Sequence, residues 1–247
     1  MAFFQVNFIS SALGIHCGVN VVMPNTPKSK KLPCLLLLHG LSDDHTVWQR
    51  HTSIERHAQN LQVAVVMPAV NRSFYLDMKN GAKYYTYVSE ELPQAMRAFF
   101  PLSDQRKDNF VAGLSMGGYG ALLLALRKPE NFSHAASFSG ATDMVEIARD
   151  RNIPDIEHVF GKKSPAGTDA DLFHLARRHA AEKTRLPKLS IYCGAKDFLY
   201  QQNVRFNAEL RRLGIPFDYS ESPTHEHTWD YWDLCIADYL KKLPLKK

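Results

Sequence analysis

The chain has 247 residues, 45% of them hydrophobic and 22% charged, with a formal net charge of +5. That composition supplies a substantial core and excludes a low-complexity or charge-dominated chain. Its basic residues cluster only in "KSKK" at Lys28 to Lys31 and in the tail at Lys246, too briefly for a nucleic-acid-binding stripe, and no run approaches the roughly 18 apolar residues of a membrane span.

Two strands are predicted at Phe3 to Ile9 and Ile15 to Met23, joined through Ser10–Gly14 as a hairpin. "LPCLLLLHG" follows, with Leu35 to Leu38 apolar on every side, as in a strand covered on both faces. The same signature recurs at Val63 to Met67, Phe110 to Ala112, Ala135 to Ser139 and Leu189 to Cys193, and a last strand is expected at Phe217 to Ser220. Helices are predicted over Glu90 to Phe100, through Tyr119, Leu122, Leu123 and Leu126, through Phe206, Leu210 and Leu213, and along the stripe from Trp229 to Leu243. Gly214 and Pro216 stop the third of these. The alternation implies an α/β fold: a mostly parallel sheet of about eight strands with an antiparallel N-terminal hairpin and helices on both faces. One domain over residues 1–247 is expected. The stretch from about 142 to 187 is too long for one crossover helix and reads as a helical insertion over one end of the sheet.

"FVAGLSMGGYGALLLAL" contains Gly113-Leu114-Ser115-Met116-Gly117, a G-x-S-x-G between a buried strand and a strongly periodic helix. This is the context of a nucleophile elbow, where a tight turn lifts the serine above the sheet. Gly113 and Gly117 are the structural glycines of that elbow. The Gly-Lys-Ser/Thr of a phosphate loop is absent. A serine nucleophile needs a base and a group that orients it. Asp197 in "IYCGAKDFLY" and His227 in "SPTHEHTWDYW" follow later strands, so with Ser115 they can meet at one edge of the sheet. Asp143 is the competing acid and His225 the competing base. His225-Glu226-His227 would suit a metal pair, but no further His/Cys cluster accompanies it, and no metal is expected. Oxyanion donors are expected at the Met116 amide and, after "LLLLHG", at the Leu41 amide, with His39 bracing that turn.

Four cysteines, Cys17, Cys34, Cys193 and Cys235, form no C-x-x-C pair. Cys34 and Cys193 lie in apolar runs, as buried free thiols do. The start "MAFFQVNFIS" lacks the basic region and long apolar run of a signal peptide, so a cytoplasmic location is expected.

"LLLLHGLSDDHTVW", "RSFYLD", "YVSEELP", "GLSMGGYGALLLAL", "YCGAKDFLY" and "HTWDYWD" together resemble the esterase D / S-formylglutathione hydrolase-like group of α/β-hydrolases, nearest to the bacterial tributyrin-type esterases. The resemblance implies a carboxylesterase acting on short acyl chains without a cofactor. It implies Ser115, His227 and Asp197 as triad, with Leu41 and Met116 as oxyanion donors. An S-formylglutathione-type thioester hydrolase, with Arg72 or Lys83 receiving an anionic substrate, and a carbohydrate O-deacetylase are alternatives. An inactive hydrolase-fold binding protein is the non-enzymatic one. A small-molecule ester is the expected partner, with no nucleic acid and no membrane span. Homo-oligomerisation is left open. Bulky Trp48, Phe74 and Tyr75, in loops after strands, are expected to narrow the pocket.

Overall fold

The computed structural model describes residues 1–28, 30–150 and 152–245; Ser29, within the first basic cluster, and Lys246, in the tail, lie outside them. Eight strands form one sheet: β1 (Ala2–Ser10), β2 (Ile15–Met23), β3 (Cys34–Leu38), β4 (Ala64–Pro68), β5 (Asn109–Leu114), β6 (His134–Phe138), β7 (Lys188–Gly194) and β8 (Phe217–Ser222). Their order is β1-β2-β4-β3-β5-β6-β7-β8. β1 pairs antiparallel with β2, and β2 with β4; every later pairing is parallel. All eight predicted strands are present, with ends shifted by a residue or two.

The helices are α1 (Val47–His51), α2 (Ile54–Ala58), α3 (Tyr84–Thr86), α4 (Leu92–Phe99), α5 (Met116–Arg127), α6 (Met144–Ile147), α7 (Ile156–Phe160), α8 (Leu172–Glu182), α9 (Tyr200–Arg212) and α10 (Trp229–Lys242). Side chains on a strand alternate between faces, and the central strands are apolar on both. Leu35 and Leu37 of β3 join a core with Trp48 of α1, Ile54 of α2 and Ile236 of α10. Leu36 and Leu38 join a separate core with Met96 of α4, Leu122 of α5, Leu175 of α8 and Phe206 of α9. This double burial is why "CLLLL" carries no polar residue.

The helix expected from Glu90 begins earlier: α3 runs through a π-helical turn, Tyr87–Glu91, into α4. That π turn offsets the periodicity that the reading relied on. Helices α1, α2 and α7, five residues each, escaped the reading because so short a helix shows barely one turn of pattern. Between β6 and β7, α8 packs on α5: the Tyr119 hydroxyl of α5 donates to the Ala170 carbonyl, just ahead of α8, at 2.8 Å, and His179 Nε2 is 2.5 Å from the Leu126 carbonyl oxygen. α7 instead docks on the loop after β4, where the Lys79 and Asn80 amides donate to the Val159 and His158 carbonyls, each at 2.9 Å.

Candidate active site

β5 delivers Ser115 to the carboxyl ends of the strands, and α5 leaves from it. Ser115 has φ 53° and ψ −117°, in the left-handed half of backbone space that non-glycine residues avoid. Its surroundings hold it there. The Ser115 N–H donates to the Phe138 carbonyl at 2.9 Å, and its own carbonyl accepts from Tyr119 and Ala141 N–H at 3.1 Å each. The flanking glycines are needed for close approach. A Cβ on Gly113 would sit 2.5 Å from the Gly117 carbonyl carbon and 2.8 Å from Leu38 Cβ; one on Gly117 would strike the Leu38 carbonyl oxygen and lie 2.7 Å from that of His39. The elbow is thus clamped between β3 and its own helix.

Asp197 lies in the turn after β7, its side chain wholly buried. Oδ1 accepts the Leu199 N–H at 2.8 Å. His227, between β8 and α10, donates from Nδ1 to Oδ2 at 2.8 Å, with Oδ1 at 3.0 Å. Its ring packs against Phe198, centroids 4.4 Å apart, and edge-on to Trp232 at 4.8 Å. A histidine that donates from Nδ1 keeps Nε2 as its acceptor. The two competing residues are engaged elsewhere. His225 stacks on Tyr231 at 4.9 Å, and its Nδ1 is hydrogen-bonded to Ser222 Oγ at 2.6 Å, so it is not the loosely held member of the loop that its place after Pro223 implies. Asp143 caps α6, accepting the Glu146 N–H at 3.0 Å, and pairs with Arg205 at 3.2 Å.

His39, after β3, is fully buried. Its Nδ1–H donates to the Gly40 carbonyl at 2.7 Å, and Nε2 accepts the Val70 N–H at 3.0 Å. Both nitrogens are used as a neutral ring requires, and burial pushes the imidazole down to about 4. The ring ties the β3 and β4 loops together. Leu41 is half-buried and lines a cavity of about 580 Å³ with Asp43, Asn71, Arg72, Tyr84 and Asp155. Met116 is buried at the start of α5.

Arg72 Nε lies 2.6 Å from Asp155 Oδ2 at this cavity, while Lys83 is exposed ahead of α3. Trp48, Phe74 and Tyr75 are core residues rather than pocket walls, each at most 2% exposed. The Trp48 indole donates to the Leu38 carbonyl at 3.0 Å, and the Tyr75 hydroxyl to the His39 carbonyl at 2.8 Å. Sequence reasoning missed Asp43 and Asp155; the "SDD" directly after the Leu41 turn was the available signal for the first.

Among the described residues, no group of three His, Cys, Asp or Glu side chains is gathered as a metal site, and no helix is long and apolar enough to cross a membrane. All four cysteines are free; Cys17, Cys193 and Cys235 are buried and Cys34 partly so.

Residues 10–243 match the model of the esterase family described as "Putative esterase". The chain belongs to this family. An acetyl esterase of Caldicellulosiruptor saccharolyticus is 32% identical over 260 residues, covering 96% of each chain. Two Staphylococcus aureus structures are each 36% identical, with 98% of both chains covered: FphF, a fluorophosphonate-binding serine hydrolase in its substrate-bound form, at a TM-score of 0.93, and the S-formylglutathione hydrolase FrmB as apoenzyme, at 0.90. The esterase therefore has the α/β-hydrolase fold and is a carboxylic ester hydrolase of the serine type, which sets aside the non-enzymatic reading.

Proposed function

We propose that the esterase hydrolyses short-chain acyl esters through an acyl-enzyme, with Ser115 as nucleophile, His227 as base and Asp197 as the group that orients it. Ser115 Oγ attacks the ester carbonyl carbon while Nε2 of His227 takes its proton. The tetrahedral oxyanion is met by the N–H groups of Leu41 and Met116. His227 returns the proton to the leaving alkoxide, water then attacks the Ser115 ester by the same route, and the acid departs. Asp197 holds the imidazole in the tautomer that keeps Nε2 free to accept, and stabilises the imidazolium.

The observation that supports this most is the 2.8 Å bond from His227 Nδ1 to a fully buried carboxylate, on the same sheet edge as a strained Ser115. Residues 1–247 are taken as one domain, the helical stretch over about 142–187 supplying Asp155 to the cavity wall. The acyl preference rests on the family likeness and on the acetyl esterase relative. Thioester hydrolysis is the second reading, favoured by the S-formylglutathione hydrolase among its relatives. Against it, Arg72 is already neutralised by Asp155 and so is a weak receptor for an anionic thiol. A sugar O-acetyl ester would use the same steps with a different alcohol.

A panel of p-nitrophenyl esters from acetate to decanoate, run beside S-formylglutathione, tests the reading. Acetyl to butyryl esters should have the highest kcat/KM. A decanoate optimum would contradict the short-chain assignment, and a higher kcat/KM on S-formylglutathione would favour the second reading.

A further inference from the structure

Asp43 has no part in the steps above, yet its carboxylate holds the turn that leads into one of the groups that do. Its Oδ2 accepts the Gly40 N–H at 3.0 Å, and its own N–H reaches back to the Gly40 carbonyl at 3.3 Å. A Cβ on Gly40 would lie 2.7 Å from that Oδ2 and 2.8 Å from Leu114 Cδ1, so the turn closes tightly over the carboxylate. The next amide along the chain is that of Leu41. His51 of α1, His227 from the loop before α10 and Asp44 are the charged or titratable groups that act on Asp43 through space. Burial raises the Asp43 pKa most, and Asp44 adds to this; the Gly40 N–H and the two histidines oppose it.

We propose that Asp43 is a positioning residue, whose carboxylate fixes the Gly40–Leu41 turn so that the Leu41 N–H meets the oxyanion. The inference rests on the catalytic reading above. An oxyanion donor helps only when aimed before charge develops. Gly40 has no side chain to hold the turn, so an anionic acceptor on its N–H supplies the restraint.

Two substitutions separate the acceptor from the charge. Asp43→Ala removes acceptor and charge together. It should lower kcat by roughly 100-fold, the scale of a lost or misplaced oxyanion donor, with KM within about threefold. Asp43→Asn keeps an oxygen for the Gly40 N–H and loses the charge. It should recover most of the kcat lost in Asp43→Ala. Ser115→Ala is measured alongside. If it stays active, the catalytic reading itself fails. If it is dead while Asp43→Ala keeps kcat within threefold of wild type, or acts through KM alone, the role of Asp43 is overturned. Should circular dichroism show Asp43→Ala to be unfolded, Asp43→Asn decides: kcat within about threefold of wild type supports the acceptor role, and a folded Asp43→Asn with kcat down roughly 100-fold overturns the proposal.

Discussion

The loops after β5, β7 and β8 are held quite differently from the stretch that carries α6 and α7. Each candidate catalytic residue in the former is held by bonds or packing to a different element of the chain. Ser115 is bonded to the end of β6, Asp197 is wholly buried, and His227 is bonded to Asp197 and packed between Phe198 and Trp232. α6 and α7, only four and five residues long, bury Met144, Ile156 and Val159 and take two backbone bonds from Lys79 and Asn80, and for the rest rely on the Asp143 cap and on surface ion pairs. Arg205 pairs with Asp143 and Glu146, and Arg72, 39% exposed, with Asp155, 26% exposed. Exposed pairs of this kind contribute about 0–1 kcal/mol each. Proposed chemistry thus sits on the rigid region, and the wall of the cavity on the one that substitution can reshape cheaply.

Breaking the rigid region should cost most. Ser115→Ala and His227→Ala should each lower kcat by roughly 10⁴-fold or more, about 5.5 kcal/mol, with circular dichroism unchanged. Steady-state kinetics on p-nitrophenyl acetate checks this, and a variant within tenfold of wild type would remove that residue from the triad. Gly117→Ala attacks the clamp rather than the chemistry. Its methyl group meets the Leu38 and His39 carbonyls, which are backbone and cannot swing aside. A loss of about 3 kcal/mol in urea unfolding is expected.

His39 gives the same region a pH signature. Its imidazole titrates near 4 in the folded state and near 6.5 when unfolded. Between these values the unfolded chain binds the extra proton, so this stabilisation is complete above about pH 6.5 and is lost as pH falls towards 4. At most about 3 kcal/mol is involved. Urea unfolding at pH 7 and pH 5 should show a shallower acid loss in His39→Asn than in wild type, and equal slopes would contradict a neutral buried ring.

Smaller effects sharpen the contrast. His225→Ala, which cuts only the Ser222 and Tyr231 contacts, should change kcat/KM by no more than tenfold, about 1.4 kcal/mol. Arg72→Ala should cost under about 1 kcal/mol of stability yet alter the ranking of esters with different alcohols, because it opens one wall of the cavity. A large loss of stability would mean that the α7 region is as tightly held as the elbow.

What was legible in the sequence follows the same division. The buried strands announce themselves because both faces are covered and polar residues are excluded, as in "CLLLL". The elbow is legible because its glycines are forced by backbone contacts only residues apart in sequence or one strand away. The pairing of Asp197 with His227 could be anticipated from their places after the last two strands, since parallel strands bring their carboxyl ends together. Its geometry could not, because it depends on Phe198 and Trp232 closing around the ring. Trp48, Phe74 and Tyr75 misled because a bulky residue in a loop looks alike whether it faces the cavity or the core. Asp155 was hidden because Arg72 lies 83 residues away, and no local pattern records such a pair.

Labelling by a fluorophosphonate probe with peptide mass mapping reads out whether Ser115 is the nucleophile, activated by His227 and Asp197. Wild-type enzyme should take up a single adduct, on the peptide that contains Ser115. Labelling should vanish in Ser115→Ala, slow sharply in His227→Ala and Asp197→Asn, and persist in His225→Ala. An adduct on any other residue, or labelling that survives in Ser115→Ala, would rule Ser115 out as the nucleophile.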